Sequence, residues 1–109
     1  MIVRAWRGWT AEPDATAAYE RLLNGTIAPG IMARGIAGLQ ELAVLRRIPA
    51  EGPAEHLTLM TFDDWSAVTA FAGRDPGASV VPPAARALLA RHDEHSQHYE
   101  LVHRHLPPG

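Results

Sequence analysis

Three side chains in this sequence have types suited to proton transfer and anion binding: His98, Arg4 and Trp6. An imidazole titrates near neutrality and can take a proton from a phenol or an activated carbon, so His98 is a candidate catalytic base. Arg4 and Trp6 stand two apart, a spacing that puts both on one face of a strand. There the guanidinium could anchor a carboxylate or phenolate, with the indole as a flat wall. The same pair would also suit an arginine–carboxylate bridge across a sheet beside a core tryptophan. Trp65 is fit for core packing or for a pocket wall. His56 shares a strand face with Thr58 and Met60, where it either meets a ligand or is solvated near the strand's start. The candidate substrate-binding set is therefore Arg4, Trp6, Trp65 and His56.

The histidines also invite a metal reading. His92, His95, His98, His103 and His105 crowd toward the end of the chain, and His103 with His105 could place two imidazoles on one strand face. No carboxylate stands at motif spacing to supply a third ligand. The chain has no cysteine, which removes disulfides, thiolate nucleophiles and Cys-ligated zinc together. Neither a metal nor a bound cofactor is expected.

These residues need elements to position them. Ile2 to Trp9 reads as a first strand. Pro13 suits the first position of a helix whose apolar stripe is Ala15, Ala18, Tyr19 and Leu22. Asn24-Gly25 should stop or kink that helix, and Thr26 to Arg34 reads as a second, irregular helical piece. Leu39 to Ile48 and Glu55 to Phe62 read as strands joined by a hairpin connection at Pro49 to Pro53. Asp63 or Asp64 caps the next helix, with Trp65, Val68, Phe71 and Ala72 toward the core and Gly73 ending it. A loop from Arg74 to Pro82, a short helix opened by Pro83, and a last strand from Ser96 to His103 complete the chain. On that strand Tyr99 points away from His98, and a register slip of one residue would exchange the two.

The order β-α-β-β-α-β predicts an α+β domain of ferredoxin-like plan with an antiparallel sheet. A sheet covered on one face should alternate apolar and polar residues. Here Leu39, Ala43 and Leu45 read on one face of their strand and Leu42, Val44 and Ile48 on the other. Leu57 and Leu59 likewise oppose Met60 and Phe62. Both faces call for cover, and a second copy of the chain is the simplest source, giving a homodimer.

The 109 residues suit one domain over 1–109, and 47% hydrophobic with 20% charged residues is a globular composition. A formal net charge of −2 offers no attraction for nucleic acid or anionic lipid, and neither is an expected partner. Arg4 and Arg7 interrupt the N-terminal apolar residues before a signal sequence could form, and no apolar run is long enough to span a bilayer. With no cysteine, the expected setting is the cytoplasm.

The segments Arg4-Ala5-Trp6-Arg7-Gly8, Val44-Leu45-Arg46-Arg47, Asp63-Asp64-Trp65-Ser66-Ala67, Phe71-Ala72-Gly73 and His98-Tyr99-Glu100-Leu101 occur in an order that resembles the antibiotic-biosynthesis-monooxygenase-like dimeric α/β-barrel proteins. The resemblance implies a homodimer with one pocket per subunit between sheet and helices, holding a small aromatic or polyketide-like ligand. The activities it implies are cofactor-free oxygenation of polyketide phenols, aldol-type cyclisation of the polyketide-cyclase kind, and haem binding or breakdown. A non-catalytic small-molecule-binding protein is the alternative from outside enzymology. Relatives carry a tyrosine, proline and acids after the second main helix, whereas this chain has Val80-Val81-Pro82-Pro83-Ala84-Ala85. A Trp of the relatives is replaced by Phe62. The helix from Asp64 to Gly73 has no histidine and the chain's only asparagine is Asn24, which disfavours haem breakdown of the kind seen in relatives.

Overall fold

The computed structural model describes residues 1–48 and 53–109, so most of the hairpin connection expected at Pro49 to Pro53 lies outside the described residues. Five strands form one antiparallel sheet: β1 (Ile2–Thr10), β2 (Leu39–Arg46), β3 (Ala54–Phe62), β4 (Arg91–His92) and β5 (Gln97–Glu100). The spatial order is β2-β3-β1, and the free edge of β1 pairs with β4 at Gly8–Trp9 and with β5 at Ile2–Ala5. The expected α+β, ferredoxin-like arrangement is present, with its last strand divided into two pieces.

The helices are α1 (Pro13–Leu22), α2 (Ala28–Ala33), α3 (Trp65–Ala72) and α4 (Pro83–Leu88). Asn24-Gly25 does not stop the first helix. A π-helical segment, Leu23–Ile27, carries the chain from α1 into α2 without a break, and Ala28 N–H bonds to Leu23 O. Pro29 explains the wider turn: it has no N–H to give to Gly25, and in an α-helix its ring would crowd that carbonyl. Asp64 caps α3, its Oδ1 accepting from Ala67 N at 3.1 Å, and Gly73 at φ 82 ends it. Gly38 enters β2 at φ 89, where a Cβ would lie 2.8 Å from Ala67 Cβ; only glycine fits between this turn and α3.

Register fixes which side chains share a face. Arg4 lies opposite Met60 on one side and His98 on the other, Trp6 opposite Thr58, and Gly8 opposite His56. This face meets the helices, burying Met60 and Phe62 with Ala67, Val68 and Phe71, and, further along, Tyr19, Leu23 and Ala85. The other face carries Val3, Ala5, Ala43, Leu45, Leu57, Leu59 and Tyr99. None of these belongs to either core cluster, and Tyr99 is 58% exposed.

Three expectations need correction. A bulge between Leu39 and Glu41 turns Leu39 onto the helix-covered face, opposite Phe62, away from Ala43 and Leu45. Trp65 does not enter the core and is 46% exposed: at the first position of α3, one turn before Val68, its ring packs against His98 of β5 instead. The last strand stops at Glu100, where pairing with β1 reaches Ile2 and Leu101 N–H donates to Met1 O. Among the described residues no helix is long and apolar enough to cross a membrane.

Candidate functional site

The helix-covered face of the sheet does not fill completely. Between β1, β3, the π-helical segment and the loop before α4 lies a cavity of about 70 Å³. Its walls are apolar and aromatic, among them Tyr19, Leu23, Met60, Phe71, Val81 and Trp6. Arg4 and Ser96 also line it.

Arg4 is 3% exposed and reaches no carboxylate among the described residues. The alternative of an arginine–carboxylate bridge is therefore absent from this arrangement. Instead, Nη1 donates to Pro76 O and to His98 Nε2 at 3.0 Å, and Nη2 donates to Ala78 O at 3.0 Å. The guanidinium carbon stands 5.4 Å from the centre of the Phe71 ring, whose other neighbour is Arg34 at the same distance. Burial pulls the Arg4 pKa below its ordinary value, since neutral carbonyls and an aromatic ring replace water only in part. An arginine remains charged regardless. The cavity therefore has one buried positive charge without an anion.

His98 lies on the same face of the sheet as Arg4 and directly beside it, while Tyr99 points to the opposite, uncovered face. Arg4 can only donate, so His98 Nε2 must accept, and the ring is the neutral tautomer with its proton on Nδ1. Burial, and then the Arg4 charge, hold the His98 pKa below its usual value. Trp65 packs edge-on against this ring at 5.0 Å, which accounts for a tryptophan at the exposed start of α3. His98 and Trp65 stand behind Arg4 and are not among the residues lining the cavity.

Trp6 lines the cavity with its ring while its indole N–H is already engaged, donating at 2.8 Å to Ser79 Oγ and to Asp93 O. Asp93 also binds Arg7 through both carboxylate oxygens. The stretch Asp93-Glu94, which reads as an exposed turn, is thus the anchor that ties the loop before α4 to β1.

His56 does not join this group. It is 1% exposed, not solvated, and its Nε2 sits 2.7 Å from Glu20 Oε2. Arg46 Nε reaches the same oxygen at 2.7 Å. The His56 hydrogen bond, more than Arg46, lowers the Glu20 pKa. The Tyr19 ring meets His56 edge-on at 5.1 Å and separates it from the cavity. Burial pushes the Tyr19 phenol up to about 12, so it stays protonated. Sequence reasoning missed Tyr19, Ser96 and the loop carbonyls at Pro76 and Ala78. Tyr19 reads as helix core, and the others depend on contacts between distant segments that leave no local signal.

Among the described residues no group of three or more His, Asp or Glu side chains is placed to hold a metal ion. The cavity is also far too small for a porphyrin.

No family model matches the chain, and no curated protein sequence matches it. Solved structures do. A Bacillus cereus protein provisionally assigned as an antibiotic biosynthesis monooxygenase superposes with a TM-score of 0.66 at 13% identity, covering 97% of each chain. A Deinococcus radiodurans protein with the same provisional assignment gives 0.63 at 14% identity over 100% of both chains. The chain has the antibiotic-biosynthesis-monooxygenase-like fold. A Bacillus halodurans protein of the ethyl tert-butyl ether D (EthD) family is more distant, at TM-score 0.53 and 20% identity over 94% of this chain and 100% of the other. At such identities the likeness extends to the backbone plan, and side-chain chemistry must be argued from this chain alone.

Proposed function

We propose that the protein is a small pocket enzyme of the cofactor-independent monooxygenase kind, acting on an aromatic, polyketide-like compound. The observation that carries this reading is the buried Arg4 guanidinium, without a carboxylate among the described residues, at the edge of a largely apolar, aromatic-walled cavity. A phenolate or enolate is the chemical species such a site stabilises best. His98, which stands behind Arg4 and outside the cavity lining, takes the phenol proton on Nε2 only as its ring turns past Arg4 toward the ligand oxygen that has replaced it as acceptor for Arg4 Nη1–H. Its lowered pKa keeps it in the base form at neutral pH.

The electron-rich anion then passes an electron to dioxygen, and the two radicals combine at the para carbon. The resulting peroxide takes the proton from His98. Loss of the para C–H proton and of hydroxide, together one water, leaves a quinone. Phenol plus O₂ thus gives quinone plus H₂O.

With 2,6-dimethylphenol, one O₂ should be consumed per quinone formed without added metal or cofactor. Binding of the phenol with no oxygen uptake would defeat the oxygenase reading. It would favour a non-catalytic binding protein, a reading supported by the wholly hydrocarbon loop wall of Val80, Val81 and Pro82. The uncovered sheet face around Leu45, Leu57, Leu59 and Tyr99 supports pairing with a second copy of the chain. Sedimentation at micromolar concentration should give twice 11.8 kDa; a species of 11.8 kDa alone would exclude the dimer.

A further inference from the structure

Ser96 is a buried polar residue in the cavity wall that the protein leaves without a partner among the described residues. It is 5% exposed, and its Oγ makes no hydrogen bond among the described residues. An unpaired buried hydroxyl is destabilising, and few survive in a native structure without a use. Neither the cation–carbonyl arrangement of Arg4 nor the proton chemistry of His98 employs it.

Its location relative to Arg4 follows from the backbone. Arg4 donates to the carbonyls of Pro76 and Ala78, and the carbonyl between them, Gly77 O, accepts from Ser96 N at 2.8 Å. Three consecutive carbonyls of one loop are thereby held alternately by the two residues. Ser96 is also two residues before His98, the cross-strand neighbour of Arg4, and it lines the same cavity as Arg4 and Trp6. The hydrogen bonds of Arg4 leave Nε–H and one Nη2 hydrogen without an acceptor among the described residues. A hydroxyl rotates among its staggered positions and can donate to whatever occupies the cavity.

We infer that Ser96 and Arg4 form a two-point clamp for one oxygen-bearing group of the ligand, and that the site selects compact, single-ring aromatic oxyanions (carboxylates or phenolates). The inference deepens the pocket-enzyme reading and rests on it for the existence of a ligand. The size limit comes from the cavity. About 70 Å³ is well under the roughly 300 Å³ at the lower end of pockets for drug-sized ligands. An apolar cavity that takes benzene measures about 150 Å³, so a single ring is the largest frame the site admits, and it enters, oxygen toward Arg4 and Ser96, only as the walls give way.

The test is calorimetric titration of wild type and Ser96→Ala with benzoate, phenol and toluene. Wild type should bind all three, and Ser96→Ala should lose about tenfold for benzoate and phenol, near 1.4 kcal/mol, and nothing for toluene. Without ligand the variant should melt no lower than wild type, because it loses only an unpaired hydroxyl. Ser96→Cys, similar in size but a weak donor, should show the same selective loss and answers the question if the alanine variant does not fold. Equal losses for all three probes, a clear drop in melting temperature, or no binding of any probe by wild type would overturn the clamp. Selective loss with no oxygen uptake from 2,6-dimethylphenol would leave the clamp standing and remove only the oxygenase reading.

Discussion

His56 and His98 project from the same face of one sheet, and each meets a charged side chain through Nε2, yet the charges are opposite. His56 faces a carboxylate, Glu20, that Arg46 already partners. His98 faces a guanidinium, Arg4, with no anion near it. At the Glu20 end the charges complement one another: His56 gives its Nε2–H, Glu20 accepts, and Arg46 closes the set at the surface, with His56 Nδ1 left without a partner among the described residues. That is a structural arrangement, and it fixes α1 against β3. At the Arg4 end the histidine must be neutral to accept, and the positive charge is stabilised by that lone pair, two carbonyl dipoles and the Phe71 ring, with no carboxylate among the described residues. A buried charge left so incompletely compensated is costly in the free protein and becomes useful when an anion arrives. One residue type thus serves cohesion at one end and ligand chemistry at the other, and the partner's charge decides which.

Removing each partner should separate the two ends. Arg4→Met keeps an unbranched apolar stem but frees the loop carbonyls of Pro76 and Ala78 and should cost about 2–4 kcal/mol in chemical denaturation, together with affinity for aromatic oxyanions. Glu20→Ala strands the buried His56 N–H and should cost about 1–3 kcal/mol, with benzoate affinity unchanged. If Glu20→Ala abolished ligand binding instead, the working end of the sheet would be the His56 end.

A smaller effect comes from protonation. The His98 pKa is lower in the folded protein than in the unfolded chain, so the folded state resists the proton. Its contribution to stability is complete above the unfolded value of about 6.5 and is lost as pH falls through the folded one. Denaturation midpoints of wild type should therefore decline on acidification below about pH 6.5, and His98→Gln should flatten that decline. Parallel slopes for the two proteins would mean that Arg4 and His98 are not coupled.

Much of the frame is legible in the sequence. The element order follows from apolar periodicity, from Pro13 and Pro83 at helix starts, and from Asp64 and Gly73 at the two ends of α3. That Arg4 and Trp6 share a face follows from their spacing alone. What could not be read arises from contacts between distant segments. The bulge that turns Leu39 inward has no composition signature, and a histidine near a strand's end looks solvated until α1 brings Glu20 over it. Ser96 reads as the first residue of the last strand, and only the fold shows it outside β5, bonded to Gly77 and lining the cavity.

The most direct test of the account is the affinity of wild type and Arg4→Met for benzoate against neutral benzamide, measured by calorimetry at pH 7. If the buried guanidinium makes this cavity an oxyanion site, wild type binds benzoate at least tenfold more tightly than benzamide, and Arg4→Met loses that preference while still binding benzamide. Equal affinity of wild type for the two ligands, or a preference that survives in Arg4→Met, would contradict it.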